Sequence, residues 1–160
     1  MRIGLGYDVH QLRKGNPFIL GGIKIPHHSG PEGHSDADVL THAIIDALLG
    51  AMAWGDIGSW FPDTDPQYKN ADSIRLLEEV LEKLKSEKVS INNIDATVIV
   101  QKPRLSKHFD EIRANLSSAM NIKKNQISVK ATTSEKIGFI GREEGVAVHC
   151  VAALSVSGNI

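Results

Sequence analysis

Three residues in the early part of the chain have the types and spacing of a metal site. Asp8 and His10 lie in the stretch Arg2 to His10, where Ile3, Leu5, Tyr7 and Val9 alternate with Gly4, Gly6, Asp8 and His10. That period is the mark of a half-buried strand. Residues two apart on a strand project the same way, ~6.6 Å from each other, so the carboxylate and the imidazole can reach one point. His42 sits in the apolar, helix-periodic run Val39-Leu40-Thr41-His42-Ala43-Ile44-Ile45-Asp46-Ala47-Leu48-Leu49-Gly50. Two imidazoles and a carboxylate suffice for a tetrahedral zinc with one position open, the arrangement of catalytic sites, although the same set serves iron and other first-row ions. The alternative is a satisfied strand-end pair and a core histidine. Asp38 and Asp46, one helical turn either side of His42, are spaced to orient its second ring nitrogen, or to act as cap and surface residues.

A second group has the chemistry of a phosphate site. His34 and Ser35 precede the helix that carries His42, and the free amides and positive dipole end of a helix start attract anions. Thr132 and Thr133 offer further donors, and Glu135 beside them suits a hard divalent ion of the kind that bridges phosphate oxygens. The same hydroxyl cluster before an acidic residue also reads as a helix cap.

The elements that must position these groups follow from periodicity. Ser35 with Asp38 three residues on resembles a capping box, so the helix of His42 is expected to start there. The glycines beside Asp8 and His10 leave room for a ligand to approach the strand backbone. Phe18 to Ile25 is strand material broken at Gly21-Gly22, a turn signal, and a loop from His27 to Gly33 leads into the helix. Trp54 to Pro66 is rich in turn formers yet aromatic; loops of this kind often act as lids, and the alternative, which composition favours, is an ordered surface loop that its aromatics pin down. Helices are predicted over about Ser73 to Lys85 and Ser106 to Met120, strands over Ile94 to Gln101 and Ile127 to Ala131. A short turn helix precedes a continuously apolar strand, Val146 to Val156, expected to be buried on both faces by helices or by another subunit. The order predicts an α+β fold, a mixed β-sheet with helices packed on one side, in a single domain spanning 1–160.

Composition narrows the partners. The 160 residues carry a formal charge of -1 and 41% hydrophobic side chains, with neither a basic face nor a long like-charge run, which disfavours nucleic acid and acidic membrane surfaces. A small polar ligand fits better. The lone Cys150 lies in an apolar run and reads as a packed thiol. Met1 leads straight into the first strand, with no apolar signal core or presequence, which predicts a cytoplasmic chain.

Seven motifs, in order along the chain, carry a resemblance. Gly6-Tyr7-Asp8-Val9-His10, Gly33-His34-Ser35-Asp36-Ala37-Asp38, Asp56-Ile57-Gly58, Phe61-Pro62-Asp63-Thr64-Asp65, Pro103-Arg104-Leu105, Lys130-Ala131-Thr132-Thr133-Ser134-Glu135 and Gly141-Arg142-Glu143-Glu144-Gly145 resemble the 2-C-methyl-D-erythritol 2,4-cyclodiphosphate synthase family of the non-mevalonate isoprenoid pathway. The resemblance implies conversion of 4-diphosphocytidyl-2-C-methyl-D-erythritol 2-phosphate into the cyclic diphosphate and CMP. It implies that Asp8, His10 and His42 hold zinc, that Glu135 holds magnesium or manganese, and that His34 and Thr133 steady the transition state. Asp56, Ile57, Gly58, Phe61, Asp63 and Asp65 would hold the erythritol part, with Ser35 beside them. Val100, Pro103, Arg104, Leu105, Ser106 and Thr132 would hold the cytidine part from the adjacent subunit of a homotrimer. Phe139, Arg142 and Glu144 would lie near the three-fold axis, at a place suited to an isoprenoid diphosphate.

The same ligands would serve a phosphohydrolase that activates water at the open position, or a non-catalytic trimeric module that binds nucleotides or isoprenoid diphosphates. A fourth protein ligand on the metal would favour the module, an open shell catalysis.

Overall fold

Strand β1 (Arg2–Lys14) alternates as the sequence predicts, but the face it buries is the glycine face. The computed structural model describes residues 1–156; the tail after Val156, counted in the expected domain, lies outside them. A hairpin of β2 (Phe18–Leu20) and β3 (Ile23–Ile25) follows, turned by Gly21 and Gly22 at positive φ, the conformation that a two-residue hairpin loop demands. Then come β4 (Ser29–Pro31), α1 (Val39–Met52), α2 (Ile57–Trp60), a 3-10 turn at Pro66–Tyr68, α3 (Ser73–Ser86) and β5 (Val89–Ile99). The chain continues through α4 (Phe109–Ala119), a second 3-10 turn at Lys124–Gln126, β6 (Ile127–Thr132), α5 (Gly138–Gly141) and β7 (Gly145–Val156).

The main sheet has the order β4-β1-β7-β5-β6, with β5 and β6 parallel and the other pairs antiparallel. Gly6, Cys150, Ala96 and Val129 stand side by side in one row across it, and the three with side chains are buried with helix residues such as Ile44, Leu77 and Ile112. The mixed α+β reading therefore holds, with the helices on this face of the sheet. The other face is open. Ile3, Leu5, Tyr7 and Val9 of β1 remain 41–65% exposed, as does Val151 of β7 at 42%. The final strand is thus covered on one face by this chain's own helices, not on both.

Glycine sets the distance between α1 and the sheet. A Cβ on Gly4 would stand 2.0 Å from the carbonyl oxygen of Ala47, and one on Gly6 2.0 Å from that of Ala43. The space beside Asp8 and His10 therefore admits a helix backbone, not a ligand as the sequence suggested. Alanines at 43, 47 and 51, one per helical turn, complete the seam.

Several boundaries move. The N-cap of α1 is Asp38, which accepts from the Thr41 amide at 3.0 Å, so the proposed Ser35–Asp38 capping box is not formed. The expected loops contain β4 and α2, the latter closed by its own capping box between Asp56 and Ser59. Strand β5 begins five residues before the expected Ile94, across an irregularity at Ile91/Asn93. No described helix is long and apolar enough to cross a membrane.

Candidate active site

Asp8 and His10 on β1 and His42 on α1 meet where the glycine seam ends. Asp8 Oδ2 lies 3.1 Å from His10 Nε2 and 3.0 Å from His42 Nδ1, and the two ring nitrogens are 3.3 Å apart. Four ligands at zinc–nitrogen and zinc–oxygen distances of ~2.0–2.1 Å in a tetrahedron are ~3.3 Å from one another, so the triangle fits a zinc-sized ion within a few tenths of an ångström. The donor set points the same way, since imidazole suits zinc and other first-row transition metals over calcium or magnesium. His10 Nδ1 stands 2.7 Å from the carbonyl oxygen of Glu32. A carbonyl only accepts, so His10 keeps its proton on Nδ1 and presents Nε2. A Cβ on Gly33 would fall 2.8 Å from His10 Cε1; a bare backbone lets the loop pass that close.

Charge favours a cation here. Burial works against ionising Asp8, but the hydrogen bonds and charges of His10 and His42 outweigh it and hold the carboxyl well below the usual carboxylate range. Burial likewise opposes protonation of His10, and Asp8 beside it raises the imidazole above its ordinary value.

Neither Asp38 nor Asp46 orients His42, and of the two roles open to it Asp38 takes that of helix cap. Asp38 is fully buried and accepts from the amides of Gly21, Gly22 and Thr41 and from the Thr41 hydroxyl, at 2.6–3.0 Å. Asp46 accepts from the Ile57 amide at 3.0 Å and so ties α1 to α2; burial pushes its carboxyl up, the Ile57 amide opposes this, and the charges of Asp56 and Asp8 reinforce it. The groups that do meet His42 Nε2 are the hydroxyls of Ser73 at 2.8 Å and Ser35 at 3.0 Å. Asp72-Ser73 carries a helix-start signal, with Asp72 as cap, but nothing local connects Ser73 with His42.

The triad forms one wall of a cavity of about 210 Å³. His34 and Ser35 from the loop before α1 line it, as do Ile57 and Gly58 of α2, Phe61 and Asp63, with Tyr68 and Leu76, which the sequence reading missed. Asp56 and Asp65 stand outside this lining as caps, accepting from the amides of Ser59 at 2.8 Å and Gln67 at 3.0 Å. The segment from Trp54 is pinned by its aromatics, as its composition favours: Trp54 and Trp60 stack at 5.9 Å, the Trp60 indole donates to the Trp54 carbonyl, and Phe61 meets Tyr68 edge-on at 5.3 Å.

A second cavity, about 360 Å³, gathers the remaining phosphate-type residues. Because β5 and β6 are parallel, with Ile99 opposite Thr132, the segments leaving them lie side by side. Val100, Pro103, Arg104, Leu105 and Ser106 come from one; Thr132, Thr133 and Glu135 come from the other. Thr133 Oγ1 donates to Glu135 Oε1 at 2.9 Å. Within one chain the structure does not bring Thr133 or Glu135 into the cavity of His34 and the triad. Phe139 and Arg142 line neither; Phe139 is half-exposed in α5, and Arg142 pairs with Glu144 at 3.0 Å. A further depression of about 630 Å³ among the ends of α3, α4 and β5 holds none of the expected site residues.

Residues 1–155 match the model of the YgbB family. The 2-C-methyl-D-erythritol 2,4-cyclodiphosphate synthase of Salinibacter ruber is 53% identical over 154 residues, 96% of this chain and 98% of that protein. The fold superimposes on the bifunctional IspDF of Campylobacter jejuni with a TM-score of 0.94 at 40% identity, covering 98% of this chain and 42% of that longer one. It superimposes on the CDP-bound form of a 2C-methyl-D-erythritol-2,4-cyclodiphosphate synthase with a TM-score of 0.89 at 33% identity, over 96% of this chain and 100% of that one. The chain therefore belongs to the YgbB family, and its enzymatic activity is that of a 2-C-methyl-D-erythritol 2,4-cyclodiphosphate synthase.

Proposed function

We propose that this chain, as a single domain over 1–160, converts 4-diphosphocytidyl-2-C-methyl-D-erythritol 2-phosphate into 2-C-methyl-D-erythritol 2,4-cyclodiphosphate and CMP, acting as a phosphorus–oxygen lyase of non-mevalonate isoprenoid biosynthesis in the cytoplasm. The observation that carries this reading is the three-sided ligand set on a cavity wall, with no fourth His, Cys, Asp or Glu joining it among the described residues. Such a set leaves a position for the substrate.

The substrate supplies its own nucleophile, the 2-phosphate, which attacks the β-phosphorus while CMP departs, so no side chain need bond to phosphorus. Asp8, His10 and His42 would hold zinc, and Glu135 would hold magnesium or manganese. Cations at those two sites would offset the repulsion between a phosphate nucleophile and a diphosphate. His34 and Thr133 bind the phosphates as charge redistributes, with Ser35 beside them. Ile57, Gly58, Phe61 and Asp63, with Asp56 and Asp65 behind, orient the erythritol part. The apolar rings of Phe61 and Tyr68 and the side chain of Leu76 keep water, the competing nucleophile, from the same phosphorus. Val100 to Ser106, with Thr132, receive the cytidine part, in keeping with the CDP-bound relative.

The two cavities are separate in one chain, so a complete site needs a second copy. The open apolar face of β1 and β7 supports the homotrimer, with sites at subunit junctions and Phe139 and Arg142 toward an axial cavity suited to an isoprenoid diphosphate. Neither nucleic acid nor membrane enters this reading. Phosphorus NMR of the protein with substrate, magnesium and trace zinc tests it. Cyclic diphosphate plus CMP, lost with chelator, is the expected result; CMP with an open-chain bisphosphate would put water in the nucleophile's place and overturn it.

A further inference from the structure

His42 differs from His10 in what stands behind it. His10 is oriented by a main-chain carbonyl, whereas His42 Nε2 faces the hydroxyl of Ser73, a fully buried residue at the first turn of α3. That hydroxyl is itself hydrogen-bonded to Asp36 Oδ1, and Asp36 Oδ2 takes the Ser73 amide at 3.1 Å. A carboxylate only accepts, so the hydroxyl hydrogen points to Asp36, and Ser73 Oγ meets His42 as acceptor. The imidazole proton is thereby held on Nε2. The lone pair of Nδ1 is left on the side of Asp8 Oδ2 and His10 Nε2.

The relay is anchored at its far end. The Asp36 amide donates to the Ala71 carbonyl at 3.1 Å, and Asp36 Oδ1 also takes the Asp38 amide at 3.2 Å. This clasp fastens the loop before α1 to the start of α3. Ser35 Oγ is the other neighbour of Nε2 at 3.0 Å, but its oxygen takes the Ala37 amide at 3.3 Å, and no hydrogen bond joins it to a carboxylate.

We propose that Asp36 and Ser73 are positioning residues of the metal centre, a carboxylate–hydroxyl relay that fixes the tautomer of His42 and strengthens its Nδ1 as a ligand for a divalent transition metal. The proposal rests on the reading of Asp8, His10 and His42 as that centre. Neither residue touches substrate or metal; both act through the ring of His42. Outer partners of this kind are worth about 10- to 100-fold in metal affinity.

The test is the zinc affinity of the full-length apoprotein, measured by competition with a chromophoric chelator, for the parent and for Ser73→Ala, Asp36→Asn and Ser35→Ala. Long-range proton–nitrogen NMR of the zinc-loaded proteins reports which ring nitrogen of His42 carries the proton. The parent should hold it on Nε2. Ser73→Ala should bind zinc about 10- to 100-fold more weakly and shift the His42 nitrogen resonances, Asp36→Asn should follow in the same direction, and Ser35→Ala should bind nearly as the parent does. Should Ser73→Ala fail to fold, Asp36→Asn keeps the shape and carries the same readout. A Ser73→Ala protein with parental affinity and parental His42 resonances would overturn the relay alone. A parent that binds no zinc would overturn the reading of the triad, and the relay with it.

Discussion

Replacing Gly6 by alanine puts a methyl group between β1 and α1, where none of the metal ligands would be altered. The new carbon would stand 2.0 Å from the Ala43 carbonyl oxygen and 2.7 Å from the Ala47 nitrogen. Both are main-chain atoms, so no rotamer change relieves the clash. The helix must withdraw by about 1 Å or more before those contacts approach van der Waals distance. His42 directly precedes Ala43, and its Nδ1, now 3.0 Å from Asp8 Oδ2, travels with it, while metal–ligand distances tolerate only ~0.2 Å. Overpacking of this kind costs about 1–3 kcal/mol, offset by up to ~1 kcal/mol because alanine stiffens the unfolded chain. At ~2–4 °C per kcal/mol for a domain of this size, the apoprotein should melt several degrees lower. Its zinc affinity should fall by at least ~10-fold, the effect of a disturbed ligand support. Gly15→Ala is the control. Gly15 also sits at an unusual backbone angle, φ +90, but an added Cβ there meets nothing within 4 Å, so stability should drop without loss of zinc affinity. A Gly6→Ala protein that binds zinc as the parent does would refute the argument that helix–strand spacing sets the triad.

Three further outcomes can be measured on the same apoprotein. Asp38→Ala strands three buried donors, the amides of Gly21 and Thr41 and the Thr41 hydroxyl, while the amide of exposed Gly22 can turn to water; at ~1–3 kcal/mol for a buried group left unpaired, urea unfolding should show a loss of about 3–5 kcal/mol, and a loss below ~1 kcal/mol would contradict the role given to this cap. Cys150 is fully buried, and burial pushes its thiol up to about 12, so a thiol-reactive disulfide reagent at pH 8 should titrate it only in denaturant; rapid reaction of the native protein would contradict the packing. Asp46 has its carboxyl raised in the folded state, so its contribution to stability is complete below the unfolded value near 3.8 and is lost as pH rises through the folded one. Asp46→Asn, which keeps an oxygen for the Ile57 amide, should therefore be more stable than the parent at pH 7 and equal to it in acid, and a variant equal in acid but less stable at pH 7 would show that the charge itself is needed.

What the sequence discloses depends on whether the determinant is local. Asp8 and His10 are legible as a pair because a strand's period of two places them on one side whatever packs there. Gly4 and Gly6 read equally well as room for a ligand or for a helix, and only the tertiary contact with Ala43 and Ala47 decides. Ser35 and Asp38 are both good cap residues; Asp38 prevails because it also satisfies the Gly21 and Gly22 amides of a hairpin far back in the chain. Helical spacing offers His42 an outer partner on its own helix, whereas the structure supplies one from α3, through a hydroxyl 31 residues away. Helix α2 hid among Gly and Pro although Asp56 and Ser59 form its capping box. Alternation in β1 identifies an apolar face without saying that this chain leaves that face open.

The sheet order bears on the timing of assembly. Every side chain of the metal centre and its relay lies within the first 73 residues, but the strand that carries Asp8 and His10 is flanked on one edge by only the three residues of β4 and on the other by β7, in a register that pairs Arg2 with Leu154. A chain emerging from the ribosome therefore displays its ligands long before it owns the neighbour that flattens them into position. Contacts so far apart in sequence close slowly. On the proposed reading of the triad, metal capture is accordingly expected late, after the fold is complete. Removing the last strand should abolish a site to which that strand contributes no ligand.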